Sequence, residues 1–284
     1  MRLDRRMLLA GTAAALLPYS LRAAAVTRLR IVGDRIYLPA SIDGHAVEAL
    51  LDSAAETSIV DRAFAARLGL GGGEAVTARG TGAATTEATL VKGVELFVAG
   101  VRLRPEAVAV IDLDDISRRL AGAPIDLIIG RDLFDAARFA IDLDAATLAK
   151  FPPRTTPPGR MLALTERRGI ETVPLTIEGI AAQADFDLGN GGTVLVGAAF
   201  AAKHRLLAGR PTAIIPGGGI GGETRQTTFT LATLNLAGHH FTGVPAAIDA
   251  SPTAADANIG VRLLRHFGLV TDFPRRAVWL DFRG

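Results

Sequence analysis

Two aspartates each end an apolar run and open onto small residues: Leu50-Leu51-Asp52-Ser53-Ala54-Ala55 and Asp185-Phe186-Asp187-Leu188-Gly189-Asn190. Taken singly, an Asp at a strand end beside small residues is a turn former. The pair reads differently, because the two occupy equivalent positions of an internal repeat. A two-fold duplication puts equivalent residues near its pseudo-axis, where Asp52 and Asp187 can meet. Two carboxyls at one spot cannot both ionise cheaply and so share a proton. One then serves as general base toward a water and the other as general acid toward a carbonyl. That chemistry hydrolyses amides with neither metal nor thiol.

The repeat is read by laying Ile36–Val60 over Glu171–Leu195, an offset of 135. Pro39 falls on Pro174, Asp43-Gly44 on Glu178-Gly179, Asp52 on Asp187, and Ser58-Ile59-Val60 on Thr193-Val194-Leu195. After one inserted residue, Phe64-Ala65-Ala66-Arg67 falls on Phe200-Ala201-Ala202-Lys203. Val94–Gly100 then matches Ala232–Gly238, and Ile129–Phe134 matches Ile259–Leu264. Each half closes on a short strand carrying an Asp, Ile141-Asp142-Leu143 and Thr271-Asp272-Phe273. Two copies imply a duplicated domain and not a solenoid.

The elements that must position the aspartates are mostly β. Asp43-Gly44 and Glu178-Gly179 predict tight hairpins, whose second strands run into Asp52 and Asp187. Asp61–Leu68 and Ala198–Leu206 read as short helices, and Leu90–Val98 and Phe229–Leu236 as strands by alternation. Short strands, many turns and two similar halves predict a pair of β-barrel-like lobes. Between them, Phe151–Gly159 holds four of the 14 prolines and reads as an extended surface linker. The expected domains are a signal segment at 1–25, an N-terminal lobe at 26–150, a linker at 151–160 and a C-terminal lobe at 161–284.

At these residues the chain resembles the pepsin-like and retropepsin-like aspartic proteases, in their bacterial two-lobe form, over roughly 34–284. The two site loops compare with the family's Asp-Thr/Ser-Gly-Ala/Ser/Thr. The resemblance implies catalytic roles for Asp52 and Asp187 and supporting roles for Ser53, Ala54, Gly189 and Asn190. It implies that Ile128-Ile129-Gly130 and Asn258-Ile259-Gly260 pack behind the loops, with Asn258 standing where the family has an apolar residue. Leu188 replaces the family hydroxyl that bonds across the axis, and Ala54 replaces a glycine, tolerable where φ is negative. Gly80, Thr81 and Gly82 fall where the family's substrate-covering flap lies. Gly219, Ile220 and Gly221, in the second glycine-rich loop, fit either a flexible turn or a second flap. No flap tyrosine is evident, the only tyrosines being Tyr19 and Tyr37. The implied activity is an endopeptidase acting on an extended peptide or protein substrate, and the alternative is an inactive pseudo-protease that binds such peptides.

Composition agrees with a globular chain of 284 residues, 49% apolar and 21% charged. The absence of cysteine excludes disulfides, thiolate zinc sites and cysteine catalysis. His45, His204, His239, His240 and His266 show no ligand spacing, so no metal and no cofactor is expected. There is no Gly-x-Ser-x-Gly elbow and no phosphate loop. Asp112, Asp114 and Asp115 read as a solvated helix start, and Arg262, Arg265, Arg275 and Arg276 as a solvated face. Residues 1–25 join a basic start (Arg2, Arg5, Arg6) to an 11-residue apolar run, Met7–Leu17, and to Ala23-Ala24-Ala25. This predicts a twin-arginine or general secretory signal and an exported, periplasmic or secreted protein. The segment carries a net +3 of the chain's +2, leaving −1 for the rest, so no nucleic-acid partner is expected. No later run is long enough to span a bilayer. One chain supplies both aspartates, so a monomer is expected.

Overall fold

The Asp43-Gly44 and Glu178-Gly179 turns both place their two residues at positive φ, 46° and 82° in the first, 53° and 80° in the second. This is the type I′ geometry that matches strand twist. The computed structural model describes residues 26–284, so the expected signal segment lies outside the described residues. The first turn joins strands Arg35–Ile42 and His45–Leu51, and the second joins Ile170–Ile177 and Ile180–Phe186. Each second strand then pairs parallel with a short apolar strand from far along the chain. Leu127–Ile129 lies beside His45–Leu51 with Ile128 opposite Leu50. Ala257–Ile259 lies beside Ile180–Phe186 with Asn258 opposite Asp185. The two short partner strands are buried along their whole length, whereas His45–Leu51 is buried over its last three residues and Ile180–Phe186 largely at alternate positions.

The first half is built on a ten-stranded sheet and the second on an eight-stranded one. A third sheet of six strands draws on both. Within it Phe139–Asp142 pairs antiparallel with Phe267–Asp272, Ile141 opposite Leu269, so the two Asp-bearing closing strands meet across the halves. Aromatic packing continues the seam. Phe134 stacks on Phe273 at 5.0 Å between centroids, and Phe273 meets Phe186 edge-on at 6.5 Å. Phe186 immediately precedes Asp187, so the seam lies directly under the candidate site.

The short helices form at Arg62–Arg67 and Ala198–Lys203, the first capped by Asp61, whose side chain accepts from Phe64 N. The expected strand Leu90–Val98 is interrupted. Thr85–Val91 and Leu96–Val98 are separate, with Gly93 at φ 80° between them. In the second half the corresponding residues lie within one unbroken strand, Gly222–Leu236. Asp114 and Asp115 begin a short helix and pair with Arg118 and Arg119 one turn on. Arg262 and Arg265 are not merely solvated, because both reach Asp34 of the first half, at 3.2 and 3.1 Å.

Candidate active site

The two strands ending in Asp52 and Asp187 are held at their last residue by the strand behind. Asp52 N donates to Ile129 O at 2.9 Å and Asp187 N to Ile259 O at 3.0 Å. The next residues turn sharply, and their amides fold back onto the carboxylates. Asp52 Oδ1 accepts from Ala54 N at 2.9 Å and Ala55 N at 3.1 Å. Asp187 Oδ1 accepts from Gly189 N at 2.8 Å and Asn190 N at 3.0 Å. The sequence offset of 135 thus reappears as matching hydrogen bonds around two carboxyls.

Those carboxyls lie close enough that each perturbs the ionisation of the other. Gly189 is required by this approach, since a Cβ there would lie 2.6 Å from Asp52 Oδ2. Gly130 and Gly260 lie against the backs of the loops. A Cβ on Gly130 would stand 2.6 Å from Thr57 O, and one on Gly260 would enter the backbone of Asn190. Ala54 is not among the residues at positive φ, so it stands in the glycine position without backbone strain.

Cross-bracing is one-sided. Ser53 Oγ donates to Phe186 O at 2.7 Å and accepts from Leu188 N at 2.9 Å, both across the two halves. Leu188 has no hydroxyl to return the bond, and its side chain is fully buried in the main core.

Electrostatics follow from this crowding. Burial, then the neighbouring Asp187 charge, pushes the Asp52 carboxyl up to about 7, against the Ala54 and Ala55 amides. Burial also raises Asp187, opposed by hydrogen bonds from Asn258, Gly189 and Asn190. Between its two ionisation steps the pair therefore holds one proton.

Two hairpins meet tip to tip. Glu74–Arg79 with Thr85–Val91 forms the first and Ala213–Gly219 with Gly222–Leu236 the second. Gly82 N donates to Ile220 O and Ala84 N to Gly221 O, each at 2.9 Å. Gly80, Thr81, Gly82, Gly219, Ile220 and Gly221 are thus gathered at one junction. The second loop is half of a paired junction and not an isolated turn. Its glycines are needed for backbone contact, since a Cβ on Gly80 would lie 2.6 Å from Ile220 O.

Sequence reasoning named Ile220 only as a loop residue and Asn258 only as a misfit behind the second loop, and it missed Asp185. Ile220 packs against a second apolar cluster that includes Tyr37, Leu50 and Ile128 in the first half. Asp185, two residues before Asp187 and so on the same strand face, is pushed up to about 7 by burial and by Asp187. Asn258 donates from Nδ2 to Asp187 Oδ2 at 2.7 Å. Asp185 was legible in principle, because the repeat sets it against Leu50. Among the described residues no His, Cys, Asp or Glu side chains gather in threes as a metal site would need. No helix there is long and apolar enough to cross a membrane.

Residues 38–133 match the family model described as Aspartyl protease. That stretch, which contains Asp52, is similar to the aspartyl protease family. The match supports a general aspartic-protease, and hence hydrolase, function with a peptide substrate. No curated protein matches the chain.

Proposed function

We propose that the chain is an exported aspartic endopeptidase that activates water between Asp52 and Asp187. The observation that carries this reading is the pair of neighbouring carboxyls, each fixed by two loop amides. With one proton between them, the ionised member takes a proton from water as its oxygen attacks the peptide carbonyl carbon. The protonated member gives its proton to the carbonyl oxygen, and a neutral gem-diol results. The first carboxyl then protonates the amine nitrogen, the C–N bond breaks, and the diol returns a proton to the second. The dyad ends as it began, and acid and amine products leave. Desolvation of both carboxyls supports this, because it favours sharing one proton over two charges.

An extended peptide would lie as an added strand beneath the joined hairpins. Ser53, Ala54, Gly189 and Asn190 hold the two loops, and the hairpin residues cover the substrate. Both aspartates come from one chain, which supports a monomer with lobes at 26–150 and 161–284. The basic and apolar pattern of residues 1–25 supports export, and fractionation of the producing cell tests it. A peptide-binding protein without turnover is the second reading. Leu188 favours it, since half of the cross-bracing is missing and a small loosening of catalytic groups can cost about a hundredfold in rate.

Mass-spectrometric profiling of a complex peptide mixture between about pH 3 and 7 tests the two readings. Cleavage that disappears in both Asp52→Asn and Asp187→Asn is expected. Tight binding of extended peptides by folded protein with no cleavage at any pH would select the second reading.

A further inference from the structure

The two carboxyls are not reached equally. Asp52 accepts from two backbone amides, both at Oδ1. Asp187 accepts from two at Oδ1 and from a third donor, Asn258 Nδ2, at Oδ2. Asn258 is buried, and a chain of bonds fixes its amide orientation. Gly192 N can only donate, and it donates to Asn190 Oδ1 at 2.7 Å. Asn190 therefore presents Nδ2 to Asn258 Oδ1, also at 2.7 Å. That leaves the Asn258 amino group pointing at Asp187, where it can only donate. In the first half the same register position holds Ile128, opposite Leu50 as Asn258 is opposite Asp185. Ile128 has nothing to donate.

We infer that Asn258, held by Asn190, is a positioning residue that places the shared proton on Asp52 and leaves Asp187 as the base toward water. The inference rests on the aspartic-peptidase reading for its catalytic meaning, but the proton's place can be measured without turnover. Donors stabilise the charged form of a carboxyl, so three against two bias the pair. Other ionisable groups near Asp187 do not supply the bias. Asp185 is a like charge, and Arg167 and Asp249 act on Asp185. The Arg167 guanidinium is bonded to Thr253 O and Ala254 O.

Site-resolved NMR titration of the full chain, labelled at aspartate carboxyl carbons, tests this. Signals are assigned from Asp52→Asn and Asp187→Asn. In the unmodified chain Asp187 is expected to ionise in the lower step of the dyad and Asp52 in the upper. The reverse order overturns the inference whatever any variant does. In Asn258→Leu the lower step is expected to rise by about one pH unit. The acid limb of kcat/KM should move with it, and kcat should fall about tenfold with KM within threefold. Asn190→Ala, which leaves Asn258 in place but unheld, is expected to move the lower step the same way by less, and it carries the test if Asn258→Leu does not fold. A folded variant with an unmoved lower step overturns the inference while leaving the peptidase reading intact. The expected titration in a chain that cleaves nothing would sink the peptidase reading and leave the proton placement standing.

Discussion

At the scale of single residues the site costs the fold stability, and pH exposes that cost. Burial raises Asp52 and Asp185 each to about 7 and raises Asp187, Asp249 and Glu171 as well. The native chain thus holds protons that the unfolded chain has released, from about pH 4 upward. In that window fewer protons are bound in the unfolded state, so stability falls as pH rises. Thermal unfolding is expected to give a Tm several degrees higher near pH 4.5 than near pH 7.5. Asp185→Asn, which cannot titrate, should flatten that slope, and an equal slope in the variant would assign the effect elsewhere. Asp185 Oδ1 is buried with no hydrogen-bond partner, which locates the penalty. The two main aspartates were legible in the sequence because each is a strand end repeated at a fixed offset. Asn258 was visible only as a misfit among apolar residues. Its role needs the orientation of Asn190, 68 residues away in the chain and set by the Gly192 amide, which leaves no pattern in sequence.

At the scale of strands and hairpins, one face of the site is apolar and its counterpart is polar. In the first half Tyr37, Leu50 and Ile128 form one buried cluster with Ile111 and Leu113. Register pairs Tyr37 with Leu50 and Thr172 with Asp185, so the second half presents Thr172, Asp185 and Asn258 at the matching places. A peptide crossing the dyad as a strand sends successive side chains to different surroundings. Cleavage profiling is expected to show an apolar side chain on one side of the scissile bond and a polar or cationic one on the other. Asp185→Leu, which copies the first half, should raise cleavage beside two apolar residues at least several-fold relative to cationic sites. Equal profiles for the two proteins would show that the polar face does not read substrate. The hairpins that build these faces were legible wherever a turn dipeptide dictated positive φ, as at Asp43-Gly44. Tip-to-tip meeting of the glycine-rich loops was not, because glycine permits contact with a distant backbone without specifying which one.

At the scale of the whole molecule the halves are locked together, which decides where a substrate can enter. They share a six-stranded sheet and the Phe134–Phe273–Phe186 stack. A buried ion pair, Arg138 with Asp272 at 2.9 Å, crosses between them, as do the Asp34 pairs with Arg262 and Arg265. Phe273→Ala is expected to cost about 3–5 kcal/mol in denaturant unfolding, by removing the centre of the stack. A loss below about 1 kcal/mol would mean that the stack is not what holds the seam. Hinging the halves apart would break all of these contacts together, whereas the hairpin tips are joined by two backbone bonds and the Arg119 bond to Gly219 O at 3.1 Å. Opening at the tips is therefore the less costly route. A Cβ on Gly219 would lie 3.5 Å from Thr81 Cβ, at the short end of the span a disulfide bridges. Because the chain has no cysteine of its own, Thr81→Cys with Gly219→Cys creates one defined pair. The oxidised double variant is expected to lose peptide cleavage at least about tenfold and to regain it on reduction, with either single variant unaffected by redox state. Undiminished cleavage by fully oxidised protein would mean that substrate reaches the dyad by another path, and that the joined tips are scaffold and not gate.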